Sequence, residues 1–124
     1  MLYLLIICHD DSFAPSERLI AAIQEWDLEM DRRGVRLDGR PLRPPADAVT
    51  VRVREGEPAI SRGPFAATQE QVAAYELLDC ADLDEAVGLA STHPMAAAGT
   101  IEVRPVWEDL TDPVADGARP ESKP

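Results

Sequence analysis

The sequence predicts a small α+β domain that works as a homodimer joined through its β-sheet. Strand and helix patterns follow one another in the order strand, helix, strand, and this order occurs twice, as in a ferredoxin-like subunit. Two of the strands are apolar on both faces, whereas two helices cover only one side of a four-stranded sheet. We therefore expect a second copy of the sheet to cover the other side.

The chain opens with a strand and an amphipathic helix. Residues 2–8 form an unbroken apolar run, which is typical of a strand covered on both faces. Pro15 suits the first turn of a helix, and large apolar residues then recur at steps of three or four. These residues are Leu19, Ile23, Trp26 and Met30. The pattern predicts a helix over residues 15–33 with its apolar stripe in the core, and Gly34 supplies the left-handed stop.

The middle of the chain is predicted to hold a loop and a hairpin. Proline and glycine are frequent over residues 38–46, after a short strand at 35–37, so we expect an irregular loop there. Residues 48–54 alternate valine with threonine or arginine, which is typical of a half-exposed strand. A turn at 55–57 leads into a second strand at 59–62. We expect this hairpin to lie outside the core, in contact with water.

The second half repeats the first. Residues 72–80 are apolar on both faces and predict a second central strand. Asp82 and Glu85 have the spacing of an acidic capping box and begin a helix that His93 and the following proline end. A last alternating strand is predicted over residues 100–104.

Composition limits the classes of function. The 23 acidic residues outnumber the 12 basic ones and give a net charge of −11, which repels phosphate backbones and anionic membranes, so we expect no direct nucleic-acid partner and no membrane partner. The longest apolar run is too short to span a membrane and lacks signal-peptide features, so a cytoplasmic location is expected. We predict one folded domain over residues 1–108 and a polar flexible tail over 109–124.

The sequence offers no pattern that calls for a cofactor or a metal. A nucleophile elbow, a phosphate-binding glycine loop and zinc-ligand spacing are all absent from it, so we expect neither. Cys8 and Cys80 lack the spacing of a redox motif and are interpreted as buried free thiols.

Four stretches of the chain carry the motifs of a known family, namely residues 61–71, 75–78, 82–86 and 101–106. On these residues the chain resembles the YCII-related family, in particular its branch marked by a DGPF signature, and the stretch from Gly63 to Arg104 is the specific part of the resemblance. The resemblance covers roughly residues 1 to 108 in the same element order. It implies a dimeric α+β barrel of ferredoxin-like subunits, each with a cleft between the sheet and the surrounding loops.

The resemblance also points to candidate acid–base residues. Some YCII-like proteins are thought to use a histidine on the first helix and an aspartate just before a proline after the second helix. Here the first helix has no histidine, and His93 stands before Pro94. His93 is therefore a candidate catalytic residue, although it could instead cap its helix. His9 and Asp10, after the first strand, are further catalytic candidates that could equally form a plain turn.

The signature itself departs from the family pattern. Arg62 stands where the family has aspartate, ahead of Gly63, Pro64 and Phe65, and these four residues are the candidate ligand-binding segment. A guanidinium facing the cleft would favour an anionic ligand, whereas Arg62 on the surface would be a solvated hairpin residue. The sequence thus predicts a homodimer that binds an unknown small molecule. A cofactor-free enzyme of the lyase or dehalogenase type is compatible with this prediction. The alternative is a non-catalytic regulatory or accessory protein linked to transcription control through sigma factors.

Overall fold

A computed structural model describes residues 1–111 and shows an α+β architecture. The strands are β1 (Leu2–His9), β2 (Arg36–Pro41), β3 (Val49–Arg54), β4 (Glu57–Arg62), β5 (Gln71–Asp79) and β6 (Thr100–Pro105). The helices are α1 (Glu17–Arg32), α2 (Leu83–Thr92) and α3 (Met95–Ala98), and a 3-10 turn spans Pro45–Asp47. The predicted tail at 109–124 lies outside the described residues except for its first three positions.

The main sheet has four strands in the order β2-β5-β1-β6, and every neighbouring pair is antiparallel. This order, with α1 between β1 and β2 and with α2 and α3 between β5 and β6, is compatible with a ferredoxin-like layout. The prediction of an α+β fold is confirmed. No helix within residues 1–111 is long and apolar enough to cross a membrane.

The core lies on one face of this sheet. Side chains alternate along β1, so that Tyr3, Leu5 and Ile7 point inward and are buried. Trp26 and Met30 of α1 pack on the same cluster, as the stripe in the sequence predicts. Fully burying an aliphatic side chain of this kind contributes roughly 1.5–3 kcal/mol, so the cluster accounts for much of the stability of the subunit.

The opposite face of the sheet is not covered by any helix within residues 1–111. Leu4 and Ile6 of β1 lie beside Leu77 and Tyr75 of β5 on this face, and all four side chains are only partly buried. We call this surface the open face. It is the apolar sheet surface that the excess of nonpolar strand faces in the sequence predicts.

Two local predictions were wrong. Residues 38–41 belong to β2 rather than to a loop, because β2 is an edge strand and an edge strand tolerates proline and glycine. Gly39 is required there, since a Cβ atom would overlap the Glu76 carboxylate of the neighbouring strand.

The sequence analysis also missed the short helix α3, which begins directly after Pro94. Cys8 and Cys80 are free, but Cys8 is only partly buried.

β3 and β4 form a separate two-stranded sheet with six residue pairs. We call residues 49–62 the arm. All but one of the strand residues in the arm are exposed, so the arm lies outside the core, as predicted.

Candidate functional site

A cavity of about 630 Å³ lies among β1, α1, β2, β5 and the residues after α2. Its walls are largely apolar and include Ile7, Phe13, Ile20, Ile23 and Met95. Four ionisable side chains lie together among its lining residues, namely Asp27, Arg36, Glu76 and His93. We call these four residues the charged floor. An apolar pocket with a few convergent polar groups is the usual form of a small-molecule site.

Each residue of the charged floor comes from a different element. Asp27 lies on α1 beside the buried Trp26, and Glu76 is a buried residue in the middle of β5. Arg36 begins β2, opposite Leu78 of β5. His93 is the C-cap residue of α2. The sheet and both major helices therefore fix the geometry of the site.

Arg36 ties the floor together. Its Nε atom donates to Glu76 Oε1 at 2.7 Å and lies 3.4 Å from Asp27 Oδ1. Its Nη2 atom donates to the Gly39 carbonyl at 2.9 Å, and its Nη1 atom donates to Asp31 Oδ1 at 3.2 Å. Burial alone would lower the pKa of Arg36, but the bond to Glu76 and the nearby carboxylates raise it overall. The guanidinium is a permanent positive charge in the site.

Glu76 holds a proton at neutral pH. Burial raises its pKa, a hydrogen bond with Asp27 raises it further, and Arg36 only partly offsets both, so that the pKa of Glu76 lies at about 8. The carboxyl groups of Asp27 and Glu76 lie close together, and the positive charge of Arg36 beside them balances negative charge in the floor. Asp27 Oδ1 has no well-aligned hydrogen bond within the described part of the chain, and its 3.4 Å approach to Arg36 is an ion-pair contact.

His93 is neutral and presents a donor to the acid pair. Burial lowers its pKa to about 4, an effect that Asp27 only partly offsets. Its Nδ1 atom accepts the Met95 backbone N–H at 3.0 Å, so the proton of the neutral ring is on Nε2. Nε2 is buried, lies 3.9 Å from Glu76 Oε2 and has no hydrogen-bond partner among residues 1–111. Trp26 packs edge-on against the ring at 4.6 Å and holds its orientation.

The donor set suits proton transfer better than metal binding. Asp27, Glu76 and His93 each place a ligand-type atom within 4.8 Å of the others. A metal-binding histidine normally donates its second ring N–H to an acceptor, whereas Nδ1 of His93 faces an N–H donor and leaves the proton on Nε2. The Arg36 guanidinium also occupies one Glu76 oxygen. Both features oppose a divalent cation at this position.

His9 lines the same cavity with the opposite tautomer. Its ring stacks on Phe13 at 4.2 Å, and its Nδ1 atom donates to the Asp10 carbonyl at 3.0 Å. In the uncharged form of the ring, this bond leaves Nε2 as an acceptor. Asp10 does not line the cavity. Its carboxylate accepts both the backbone N–H and the hydroxyl of Ser12, which lowers the pKa of Asp10 and closes a turn.

The signature segment lies elsewhere. Pro64 and Phe65 line a second hollow of about 730 Å³ near the arm, together with Leu42, Pro44, Val49 and Val72. Arg62 is exposed at the end of β4, and neither Arg62 nor Gly63 lines either hollow. The structure thus brings His93 and His9 to one cavity and separates them from Asp10 and from residues 62–65.

The sequence analysis missed three of the four residues of the charged floor, although the signals were present. Asp27 follows Ile23 by four residues, which places a carboxylate on the apolar side of α1. Glu76 alternates with Leu78 and Cys80 on the inward face of β5, where an ionisable residue is unusual. Arg36 had no such signal, because its position in β2 depends on the pairing with β5.

A curated protein and a solved structure are among the known proteins to which this chain is similar. An uncharacterized protein of Rhizobium meliloti (strain 1021) is 33% identical over 117 residues, covering 86% of this chain and 92% of that protein. The solved structure is the 5-chloro-2-hydroxyhydroquinone dehydrochlorinase from Burkholderia phenoliruptrix AC1100 in complex with 2,5-dihydroxybenzoquinone. It is similar with a TM-score of 0.44 and 13% identity, over 90% of this chain and 99% of that chain.

The family assignment depends on a match along most of the chain. The YCII-related domain matches residues 1–109, which includes every strand and helix of the described structure. The resemblance found in the sequence is thereby confirmed, and this chain belongs to the YCII-related family.

Proposed function

We propose that this protein is a cofactor-free acid–base enzyme that acts on a small, largely apolar molecule. The observation that carries the proposal is the buried Glu76, which lies beside Asp27 and a neutral His93 in the lining of an open apolar cavity and whose pKa is raised to about 8 by burial. Pairs of titratable groups whose surroundings push their pKa values apart are typical of acid–base catalysts. The substrate itself is not named by the site.

The arrangement also relates to the family pair expected from the resemblance. That pair is a histidine on the first helix and an aspartate before the proline after the second helix. In this chain Asp27 lies on α1 and His93 stands before Pro94, so the two residue types have exchanged positions. Asp27 acts electrostatically on His93, and the two side chains with Glu76 form one cluster, so a histidine–carboxylate pair still joins the same two elements.

Each group has a distinct role in the proposed reaction. The protonated Glu76 is the general acid, and the Arg36 guanidinium, which is bonded to it, stabilises the carboxylate that remains after the proton has been given to the bound molecule. The Nε2–H of His93 donates a hydrogen bond to an oxygen of the bound molecule. The Nε2 atom of His9, on the same cavity, is the acceptor available to remove a proton from carbon.

These roles fit an elimination of the lyase or dehalogenase type. The base removes a proton from carbon, and the released C–H electron pair becomes a new double bond. The leaving group departs with its bonding pair, and Glu76 supplies a proton where the leaving group or an enolate oxygen needs one. No electrons are gained or lost overall, so the reaction needs no redox cofactor.

The proposal can be tested without a known substrate. A panel of small ring compounds bearing hydroxyl or carbonyl groups is incubated with the protein in D₂O, and NMR reads both binding and deuterium incorporation at carbon. We expect binding compounds to exchange with the wild type and to lose at least about a hundredfold in exchange rate with Glu76→Gln. Asp10→Asn, outside the cavity, is the matched control and should behave as the wild type. Exchange that survives Glu76→Gln unchanged would remove the acid–base role.

We further propose that the open face is a homodimer interface. The support is the apolar centre formed by Leu4, Ile6, Tyr75 and Leu77, which a facing copy of the sheet would bury. The ligand role of residues 62–65 stays a prediction, and only Pro64 and Phe65 of this segment line the second hollow. The alternative of an accessory protein in transcription control gains no support from the family match or the relative.

A further inference from the structure

The arm exposes aliphatic side chains that a folded protein normally buries. Val49, Val51, Val53 and Ile60 are 59%, 62%, 58% and 69% exposed. The register pairs Val51 with Ile60 and Val53 with Pro58, so these side chains share one face of the hairpin. We call it the apolar face of the arm. The opposite face carries polar and charged residues, including Arg52 and Arg54.

Such a hairpin is poorly stabilised by itself. An isolated two-stranded sheet is marginally stable in water unless a further layer packs on its apolar face. Within residues 1–111 the arm residues contribute nothing to the buried core cluster. Contiguous exposed apolar surface of this kind normally marks a contact with another molecule. A partner is therefore needed to explain why this sequence keeps branched aliphatic residues at these positions.

The difference in net charge between the arm and the rest of the chain indicates which partner the arm binds. The arm carries three arginines and two glutamates, a net charge of +1, whereas the rest of the chain has nine basic and 21 acidic residues, a net charge of −12. Arg52, Arg54 and Arg62 form no ion pair with any residue in the described part of the chain. A basic arm on an acidic body is complementary to a second acidic body of the same kind. Nucleic acid is a poorer partner, because the −12 body repels phosphate.

We propose that the arm docks its apolar face onto a second copy of this chain. The docking removes the valines and Ile60 from water and brings Arg62, which pairs with Val49 on the same face, against the acidic surface of the other copy. This contact is separate from the open face and does not depend on the enzymatic role of the cavity. The contact also gives a role to the arm, which is inserted between β2 and β5 and is not explained by the cavity or the core.

The test is sedimentation equilibrium of the full chain over a range of protein concentrations. We expect the wild type to associate, and the double variant Val51→Asp with Ile60→Asp to raise the dissociation constant at least about tenfold. Leu28→Asp, an exposed leucine on α1, is the matched control and should leave association unchanged. Leu77→Arg on the open face tests the sheet contact separately. Circular dichroism checks that each variant is folded.

Two results would overturn the arm contact. One is a wild type that stays monomeric at every concentration, and the other is an arm variant that associates as strongly as the wild type while Leu77→Arg does not. A second measurement needs no variant. Hydrogen exchange of residues 49–62 should slow as the wild-type concentration rises, because docking buries the arm, and exchange independent of concentration contradicts the proposal.

Discussion

The charged floor and the arm depart from the usual distribution of side chains in opposite ways, because the floor buries ionisable side chains and the arm exposes aliphatic ones. The floor buries Glu76 and His93 beside Arg36, whereas the arm leaves Val51 and Ile60 more than half exposed. Neither arrangement is what stability of an isolated subunit favours. Our two proposals explain both departures in the same way, with a small molecule bound at the floor and a second copy of the chain docked at the arm.

The two regions also differ in how their cost is offset. The floor is self-contained, because Arg36 contacts Glu76, Asp27, Asp31 and the Gly39 carbonyl within one subunit. The arm has no such compensating contacts within the described residues, so only association would remove the free-energy cost of exposing its aliphatic side chains. Substitutions at the floor should therefore change the stability of the subunit, while substitutions on the apolar face of the arm should change assembly.

The largest expected effect is at Arg36. Arg36→Ala leaves the acid pair buried without its countercharge, and removal of one partner from a buried ionic cluster typically costs on the order of 3 kcal/mol. Urea unfolding measures the loss. Arg40→Ala, an exposed arginine on the same strand, should change the free energy of unfolding by less than about 0.5 kcal/mol. A loss below about 1 kcal/mol for Arg36→Ala would mean that the floor does not depend on this guanidinium.

The pH dependence of stability is the next largest effect. Because the folded pKa of Glu76 is about 8, above its ordinary value of 4.5, the folded state holds an extra proton between these values and loses stability as pH rises through 8. His93 acts in the other direction at lower pH, since its folded pKa of about 4 lies below 6.5 and its contribution is lost as pH falls through that window.

Glu76→Gln separates the two effects. Glutamine keeps the shape of Glu76 but cannot ionise, so the variant should lack the loss of stability between pH 5 and pH 8 that the wild type shows. We expect the difference in unfolding free energy between the two proteins to change by at least on the order of 2 kcal/mol over this range, because the raised pKa of Glu76 makes only the wild type release a proton there. Thermal unfolding in a pH series measures it. Parallel curves for the two proteins would contradict the buried, protonated Glu76.

The smallest effect concerns Gly39. A Cβ atom at this position would overlap the Glu76 carboxylate and lie 3.0 Å from Arg36 Nη2, so Gly39→Ala should lower the unfolding free energy by about 1–2 kcal/mol. Gly88 in α2 is the matched control, because a Cβ atom there meets nothing within 4 Å. Gly88→Ala should stabilise the protein by about 0.5–1 kcal/mol through the better helix propensity of alanine. Equal effects at the two glycines would show that the space beside Glu76 is not closed.

Much of the fold could be predicted from local pattern. The apolar stripe of α1, the acidic cap of α2 at Asp82 and the runs of β1 and β5 depend on neighbours close in sequence, and the structure places them as expected. β2 was missed beyond residue 37, because its pairing with β5 outweighs the local preference of glycine and proline for turns.

The site was less predictable, for a physical reason. His93 could be singled out through the family resemblance, and His9 through its place after β1. The role of Asp27 and Glu76 depends on the closeness of their carboxyl groups, which follows only when α1 packs on β5. The tautomer of His93 depends likewise on the Met95 backbone N–H, which a side-chain pattern does not reveal. Properties that arise between distant elements are the ones that the sequence conceals.

The central claim is that Glu76 is a neutral acid at physiological pH. The most direct test is NMR of the protein labelled with ¹³C at glutamate side-chain carboxyl carbons, with the Glu76 resonance assigned by its absence from Glu76→Gln. The account predicts that this carboxyl carbon titrates with a midpoint of about 8. A midpoint near the ordinary value of 4.5 would contradict it and leave the cavity without its acid.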